Sequence, residues 1–333
     1  MQLEKYKSLI NSELSILEEY LEYIVSKNLK TSGSQLQEII NYVSSSKGKR
    51  IRAVILLLLA KSFNENSNKE VTKKESEEHK FNDYIKLAAL IELLHTATLL
   101  HDDVIDESKF RRNKITVNYK WNDVASMVAG DWLLSIIFQI LIEINNWEIF
   151  QLFSQAFNAL VSGELEQLKF VNANNISYDQ YIKIITKKTA ILFELATAVP
   201  AVLNKKDPQT ILNVKNYGFN IGLSFQMTDD ILDYLGDPKI RGKEALEDLN
   251  NGKLTLPLIE LIKIDPSHLK FCKKDADTQE LLNLLTSSGA IQNSISITKQ
   301  LSSVAIKNLE TINDNCYTEA LTQIAELITE RLH

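Results

Sequence analysis

Leu93–Asp106 reads LLHTATLLHDDVID, an apolar run that closes on three carboxylates. Asp102 and Asp106 stand four residues apart, a spacing that puts both on one face of an α-helix. Upstream, Ile85, Ala88, Ala89, Leu93, Leu99 and Leu100 recur at helical spacing with Glu92 and Thr96 among them, so the stretch reads as one helix. Three like charges at its end repel one another. Holding them beside apolar side chains is costly unless a cation answers them.

The arrangement recurs. Ile221–Asp233 reads IGLSFQMTDDILD, with Asp229, Asp230 and Asp233 at the same spacing on another apolar stretch. A solvated acidic helix face accounts for one such cluster but poorly for two. Mg²⁺ is the natural counter-ion: it is hard, prefers oxygen, and binds through one or two carboxylates plus the phosphates of a substrate. Two carboxylate rows then suit a diphosphate bridged by Mg²⁺.

Around these clusters the chain is helical in character. All five prolines lie at or after Pro200, and only ten glycines occur in 333 residues, a usage that long helices tolerate and multi-strand sheets rarely do. Asp123–Trp147 is apolar nearly all round, which predicts a centrally buried helix. Phe150–Val171, Tyr178–Leu203 and Ile211–Leu235 read as further long helices, and Asn64–Asn82 as a mobile polar loop. Shorter polar breaks fall at Asn172–Ser177, Gly236–Gly252 and Asp265–Asp277. None divides two cores, so the expectation is an all-α fold: one domain over residues 1–333, a large helical bundle around a deep central cavity.

Composition narrows the class. A net charge of −6 lacks the basic footprint of a nucleic-acid binder. Cys272 and Cys316 lie in no zinc or disulfide pattern. The acidic, amphipathic N-terminus resembles no targeting peptide, and the apolar run Ala53–Ala60 is too short to span a bilayer. The reading is a cytoplasmic protein.

Basic residues gather near the acidic ones. KGKRIR supplies Lys47, Lys49, Arg50 and Arg52; Arg111 and Arg112 follow the first cluster; Lys187 and Lys188 precede Thr189; Lys243 and Lys253 follow the second cluster. Arginine offers a fork of donors to phosphate oxygens and lysine a point charge.

DDVID followed by RR, then KTAILF, FQMTDDILD and GKLTLP in that order, resembles the trans-isoprenyl diphosphate synthase family from about Gly48 to Pro257. HTATLLHDDVIDES and GELEQL are similar to members that make octaprenyl to decaprenyl diphosphates for quinone tails. The resemblance implies that Lys49, Arg52, His95 and Arg112 hold the diphosphate of isopentenyl diphosphate. Asp102 and Asp106 would bind Mg²⁺ carrying the allylic diphosphate, with Asp103 in support. Arg111, Lys188, Thr189 and Gln226 would contact the allylic substrate, which is expected to be farnesyl diphosphate. Asp229, with Asp230 and Asp233, would complete a site for about two or three Mg²⁺ ions. Lys243 and Lys253 would neutralise the leaving group, and a homodimer is implied.

Four positions depart from the family pattern. Lys47 and Asn113 replace glycines, Ala53 a proline, and Leu246 the glycine of GKxxGxD. A glycine at that last position would serve an unusual backbone conformation.

Chain length is expected to follow cavity depth. Ala97 and Thr98 lie about one helical turn before Asp102. Both are small and leave a passage for a growing tail, and Phe138 is the candidate floor. His101 reads as structural, and Trp121, Trp132 and Trp147 as core or dimer-interface residues. Three other readings stay open: a short-chain farnesyl or geranylgeranyl synthase, a class I terpene cyclase, and a non-catalytic subunit of a heteromeric synthase. A long, insoluble product would also favour peripheral contact with a membrane.

Overall fold

The computed structural model describes residues 6–30, 33–45, 48–64, 81–111, 114–173, 175–235, 246–272, 277–312 and 314–332. Lys47, Arg112, Asn113, Lys243 and most of the polar segment after Asn64 lie outside them.

The described chain is all-α apart from one two-stranded hairpin, β1 (Phe110–Arg111) with β2 (Lys114–Ile115). Helices α1 (Asn11–Leu29), α2 (Ser34–Ser44), α3 (Ile51–Asn64) and α4 (Asp83–Ile105) precede the hairpin. After it come α5 (Val117–Lys120), α6 (Asp123–Ile144), α7 (Trp147–Leu168) and α8 (Tyr178–Ile185). A π-helical turn, Thr186–Ala190, joins α8 to α9 (Ile191–Leu203). Next are α10 (Pro208–Leu235), α11 (Glu247–Asn250), α12 (Leu256–Ile264), α13 (Thr278–Ser287), α14 (Ala290–Leu309) and α15 (Cys316–Glu330).

Polar side chains set several of the boundaries. The Asn82 side chain accepts from the Ile85 N–H to start α4, and Asn122 does the same for Ala125 in α6. Ser177 and Gln180 form a reciprocal capping box on α8.

Contacts group the chain into two compact units. The first holds residues 1–154, 195–214 and 312–321; the second holds 155–194, 215–311 and 322–333. In the first unit α4 packs against α3 and α6. The short apolar run of α3 is its core helix, with Ala53–Ala60 buried on every face.

Helix α6 departs from expectation. Its inner side, including Ala129, Leu133, Ile136, Ile137 and Ile140, is buried, but its outer side is apolar as well. Val124 is 71% exposed, Val128 53% and Ile142 70%, with Trp147 70% exposed just beyond the helix end. Sequence read α6 as buried all round because composition does not distinguish a helix packed on every side from one with an apolar face left uncovered. It is also long and apolar enough to cross a membrane.

The second unit is built on α12, which packs against α14. Leu246, Leu249, Tyr181, Ile184 and Ile185 are buried in the same apolar cluster. Leu246 adopts φ 59°, ψ 32°, the left-handed conformation that the glycine of the family pattern would take. Strain there is about 1–2 kcal/mol. Burying the leucine side chain, 2% exposed, offsets it by about 1.5–3 kcal/mol.

Candidate active site

The first aspartate cluster sits where α4 ends. Asp106 is the C-cap residue, and Glu107 turns left-handed at φ 50°. The Ser108 N–H donates to the Asp103 carbonyl at 2.9 Å and the Glu107 N–H to Val104 at 3.2 Å, a crossed pair that closes the helix. The chain then returns through the hairpin. The Thr116 hydroxyl donates to Ser108 O at 2.6 Å and Asn118 Nδ2 to Asp103 O at 3.0 Å.

This return lays Arg111 over the cluster. Its Nε and Nη2 both lie 2.7 Å from Asp103 Oδ1. The pair neutralises the buried central carboxylate, while Asp102 and Asp106 remain partly exposed. Upstream on α4, Ala97 is buried and the Thr98 hydroxyl donates to His95 O at 2.9 Å.

The basic run before α3 divides by role. Lys49 is exposed and Arg52 buried. Arg50, at φ 55°, is held by Glu18 at 3.0 Å and Glu92 at 3.4 Å. Glu92 also accepts from the Ala53 N–H at 3.3 Å, so Arg50 and Glu92 anchor the start of α3. His101 Nε2 lies 3.1 Å from Met127 O and 3.5 Å from Asp131, contacts that tie α4 to α6. Phe138 is 39% exposed and packs near Phe150, with ring centroids 6.4 Å apart.

The second cluster lies within α10, not at a helix end. Asp229 is the open member, with a 41% exposed side chain, and Arg331 Nη1 lies 3.0 Å from it. Asp230 is 2% exposed and Asp233 1%. Asp230 Oδ2 accepts from the Tyr181 hydroxyl at 2.5 Å, and Oδ1 from Gln226 Nε2 at 2.8 Å. Burial, helped by the nearby Asp248 carboxylate, pushes the Asp230 carboxyl well above the usual range. Asp233 Oδ2 accepts from the Asp248 N–H at 3.2 Å, and its carbonyl from the Leu246 N–H at 3.1 Å. The sequence grouped all three as metal ligands because spacing reports a shared face but not depth. Here two of them are engaged by protein donors in the interior.

The π-helical turn carries Lys187, Lys188 and Thr189. Lys188 is held by Glu164 and Gln167. Glu166 takes Lys183 at 2.9 Å and Lys187 at 3.4 Å. The Thr189 hydroxyl donates to Gln226 Oε1 at 2.6 Å. Two glycines allow the turn to fit. A Cβ on Gly163 would lie 2.7 Å from the Lys187 Cβ, and one on Gly222 would collide with Ala190 Cα. Lys253 lies beyond α11, its N–H donating to Asp248 O at 2.8 Å.

The first unit thus carries Lys49, Arg52, His95, Asp102, Asp103, Asp106 and Arg111, and the second Lys188, Thr189, Gln226, Asp229, Asp230, Asp233 and Lys253. Among the described residues no three His, Cys, Asp or Glu side chains converge as a ready-made metal cage. Sequence reading missed Glu164, Gln167, Tyr181 and Arg331 as neighbours of the expected site residues. GELEQL contained the first two, but nothing in the sequence pairs Tyr181 with Asp230 or Arg331 with Asp229.

Residues 33–286 match the polyprenyl synthetase family, and the chain belongs to that family of helical prenyltransferases. It is 30% identical over 339 residues to the octaprenyl diphosphate synthase of Escherichia coli K12, covering 99% of each chain. The crystal structure of a decaprenyl diphosphate synthase from Rhodobacter capsulatus superposes with TM-score 0.87, 25% identity and 99% of each chain covered. A polyprenyl synthase from Caulobacter crescentus CB15, complexed with calcium and isoprenyl diphosphate, gives TM-score 0.86 at 27% identity, covering 98% of this chain and 97% of that one. The activity is that of a trans-polyprenyl diphosphate synthase. Product names among the relatives run from geranylgeranyl to solanesyl.

Proposed function

We propose that the chain is a single catalytic domain that adds isopentenyl diphosphate units head-to-tail to an allylic diphosphate, farnesyl diphosphate being the expected primer. The product is long, of the octaprenyl class, and serves a quinone side chain. The observation that carries the long product is the turn of α4 before Asp102: Ala97 is buried and small, and the Thr98 hydroxyl is folded back onto His95 O. No bulky side chain stands at either position to stop a growing tail.

Mg²⁺ fits the partly exposed carboxylates. Asp102 and Asp106 share a helical face beside an Asp103 already neutralised by Arg111, and Asp229 has a guanidinium, itself a cation, at its oxygen. Asp102 and Asp106 would hold metal in the first unit and Asp229 in the second, while Asp230 and Asp233 support the second cluster from behind. The chemistry Mg²⁺ supplies when bound is withdrawal of electron density from the diphosphate.

The protein's own groups do the rest. Lys49, Arg52, His95 and Arg112 bind the diphosphate of isopentenyl diphosphate. Arg111 and Lys188 fix the allylic diphosphate, with Thr189 and Gln226 beside it. Lys243 and Lys253 stabilise the departing pyrophosphate. As the allylic C–O bond breaks, the isopentenyl double bond forms the new C–C bond and a proton leaves for the pyrophosphate. No side-chain nucleophile is needed.

A second copy of the chain would cover the outer face of α6, giving a homodimer. The protein acts in the cytoplasm, with peripheral membrane contact suited to its insoluble product.

The test is a product assay with labelled isopentenyl diphosphate, farnesyl diphosphate and Mg²⁺, with EDTA and Asp102→Ala controls. Metal-dependent products of about forty to fifty carbons are expected. Products of about twenty carbons would return the chain to the short-chain reading, and no elongation would leave a cyclase or a subunit needing its partner.

A further inference from the structure

The geometry points to Tyr181 and Asp230 as positioning residues that set the hydrogen-bond polarity of Gln226 and Thr189; the inference rests on the synthase reading above. Four side chains form one chain in the second unit. Tyr181 donates to Asp230 Oδ2 at 2.5 Å, Gln226 Nε2 donates to Asp230 Oδ1 at 2.8 Å, and the Thr189 hydroxyl donates to Gln226 Oε1 at 2.6 Å.

The order of donors is dictated by chemistry. An amide has one donating and one accepting end. Asp230 Oδ1 takes the Gln226 amino end at 2.8 Å, an arrangement open both to the carboxylate and to an acid that carries its proton on Oδ2. The carbonyl end is thereby turned to Thr189, and the Thr189 hydroxyl must spend its proton there. Thr189 then offers lone pairs, not a proton, to anything bound against it. Tyr181 and Asp230 are both 2% exposed, so water does not compete for these bonds, and the π-helical turn bearing Thr189 is pressed against Gly222. The second aspartate of DDILD therefore orients a neighbour and does not ligate a metal.

Three variants test this: Tyr181→Phe, Asp230→Asn, and Tyr181→Phe combined with Gln226→Ala. Each is compared with wild type and Gln226→Ala. Steady-state kinetics are measured with isopentenyl and farnesyl diphosphates, and the thermal shift produced by Mg²⁺ with inorganic pyrophosphate is recorded separately. Tyr181→Phe and Asp230→Asn are expected to lower kcat about 10- to 100-fold. KM for isopentenyl diphosphate and the Mg²⁺ concentration at half-activity should stay within about twofold of wild type. The thermal shift should persist, and the double variant should lose no more than Gln226→Ala alone.

An Asp230→Asn enzyme that needs far more Mg²⁺, or loses the thermal shift, would make Asp230 a metal ligand and overturn the proposal. So would wild-type kcat in either single variant, or additive losses in the double variant. If Tyr181→Phe does not fold, Asp230→Asn, which keeps the shape of the side chain, decides alone by the same readings. A wild-type chain that fails to elongate any primer would instead sink the synthase reading.

Discussion

The two DDxxD clusters read alike in the sequence and are built differently. The first closes a helix. Asp106 caps α4, Glu107 reverses the chain, and the hairpin brings Arg111 back onto Asp103. The second is set inside α10, where the interior covers Asp230 and Asp233 and leaves only Asp229 open. In both, the middle aspartate is buried and held by protein donors. Its partner differs: a half-exposed guanidinium in one case, a buried phenol and amide in the other. The lesson is that a repeated motif fixes which residues share a helical face, while their depth in the fold decides which of them remain available to a ligand.

The largest expected effect separates the exposed from the buried carboxylates. Asp102→Ala is expected to lower elongation on the order of 1,000-fold, measured as incorporation of labelled isopentenyl diphosphate, with little change in the urea midpoint. An equally large loss of stability would mean that Asp102 is structural and would break the contrast with Asp230.

Next in size is the reverse experiment. Asp230→Ala strands the Tyr181 hydroxyl and the Gln226 amide in the interior, at about 1–3 kcal/mol for each unsatisfied group. Asp106→Ala at the helix end should cost under about 0.5 kcal/mol. Urea unfolding of the two variants compares them directly, and equal costs would contradict the difference in burial.

Leu246 sharpens the account of the second cluster, because its N–H holds the Asp233 carbonyl. Leu246→Ala should cost about 2–5 kcal/mol through the lost buried side chain. Leu246→Gly should be no worse, since glycine regains about 1 kcal/mol at a left-handed φ. A glycine variant clearly less stable than the alanine one would show that backbone strain is not the governing quantity there.

The smallest effect concerns Arg331. Its pair with Asp229 is exposed on both sides (40% and 41%), so Arg331→Ala should change unfolding by under about 1 kcal/mol, less in high salt. A larger effect in a salt series would mark the C-terminal end of the chain as part of the second cluster's framework.

Much of the fold was legible because helical periodicity is local. The helices carrying both clusters, the polar break before the Ser177 cap and the absence of extended sheet among the described residues all follow from spacing and turn residues. Leu246 was legible as a backbone anomaly, since a leucine at a glycine position announces either a changed turn or a strained one. The π-helical turn at Thr186–Ala190 was not. It lies against Gly163 and Gly222 of other helices, an approach that no local spacing announces. The outer face of α6 was misjudged for the opposite reason: its sequence is apolar on both sides, and only packing reveals which side has a neighbour.

The sequence by itself determined the class of fold, the two carboxylate rows and the basic residues that accompany them, because each depends on identity and spacing along one helix. Tertiary structure alone decided that Arg111 answers Asp103, that Glu164 and Gln167 hold Lys188, and that Tyr181 holds Asp230. Those pairings join residues on different elements of the fold, and hydrogen bonds and burial are properties of positions in space, which no local pattern encodes.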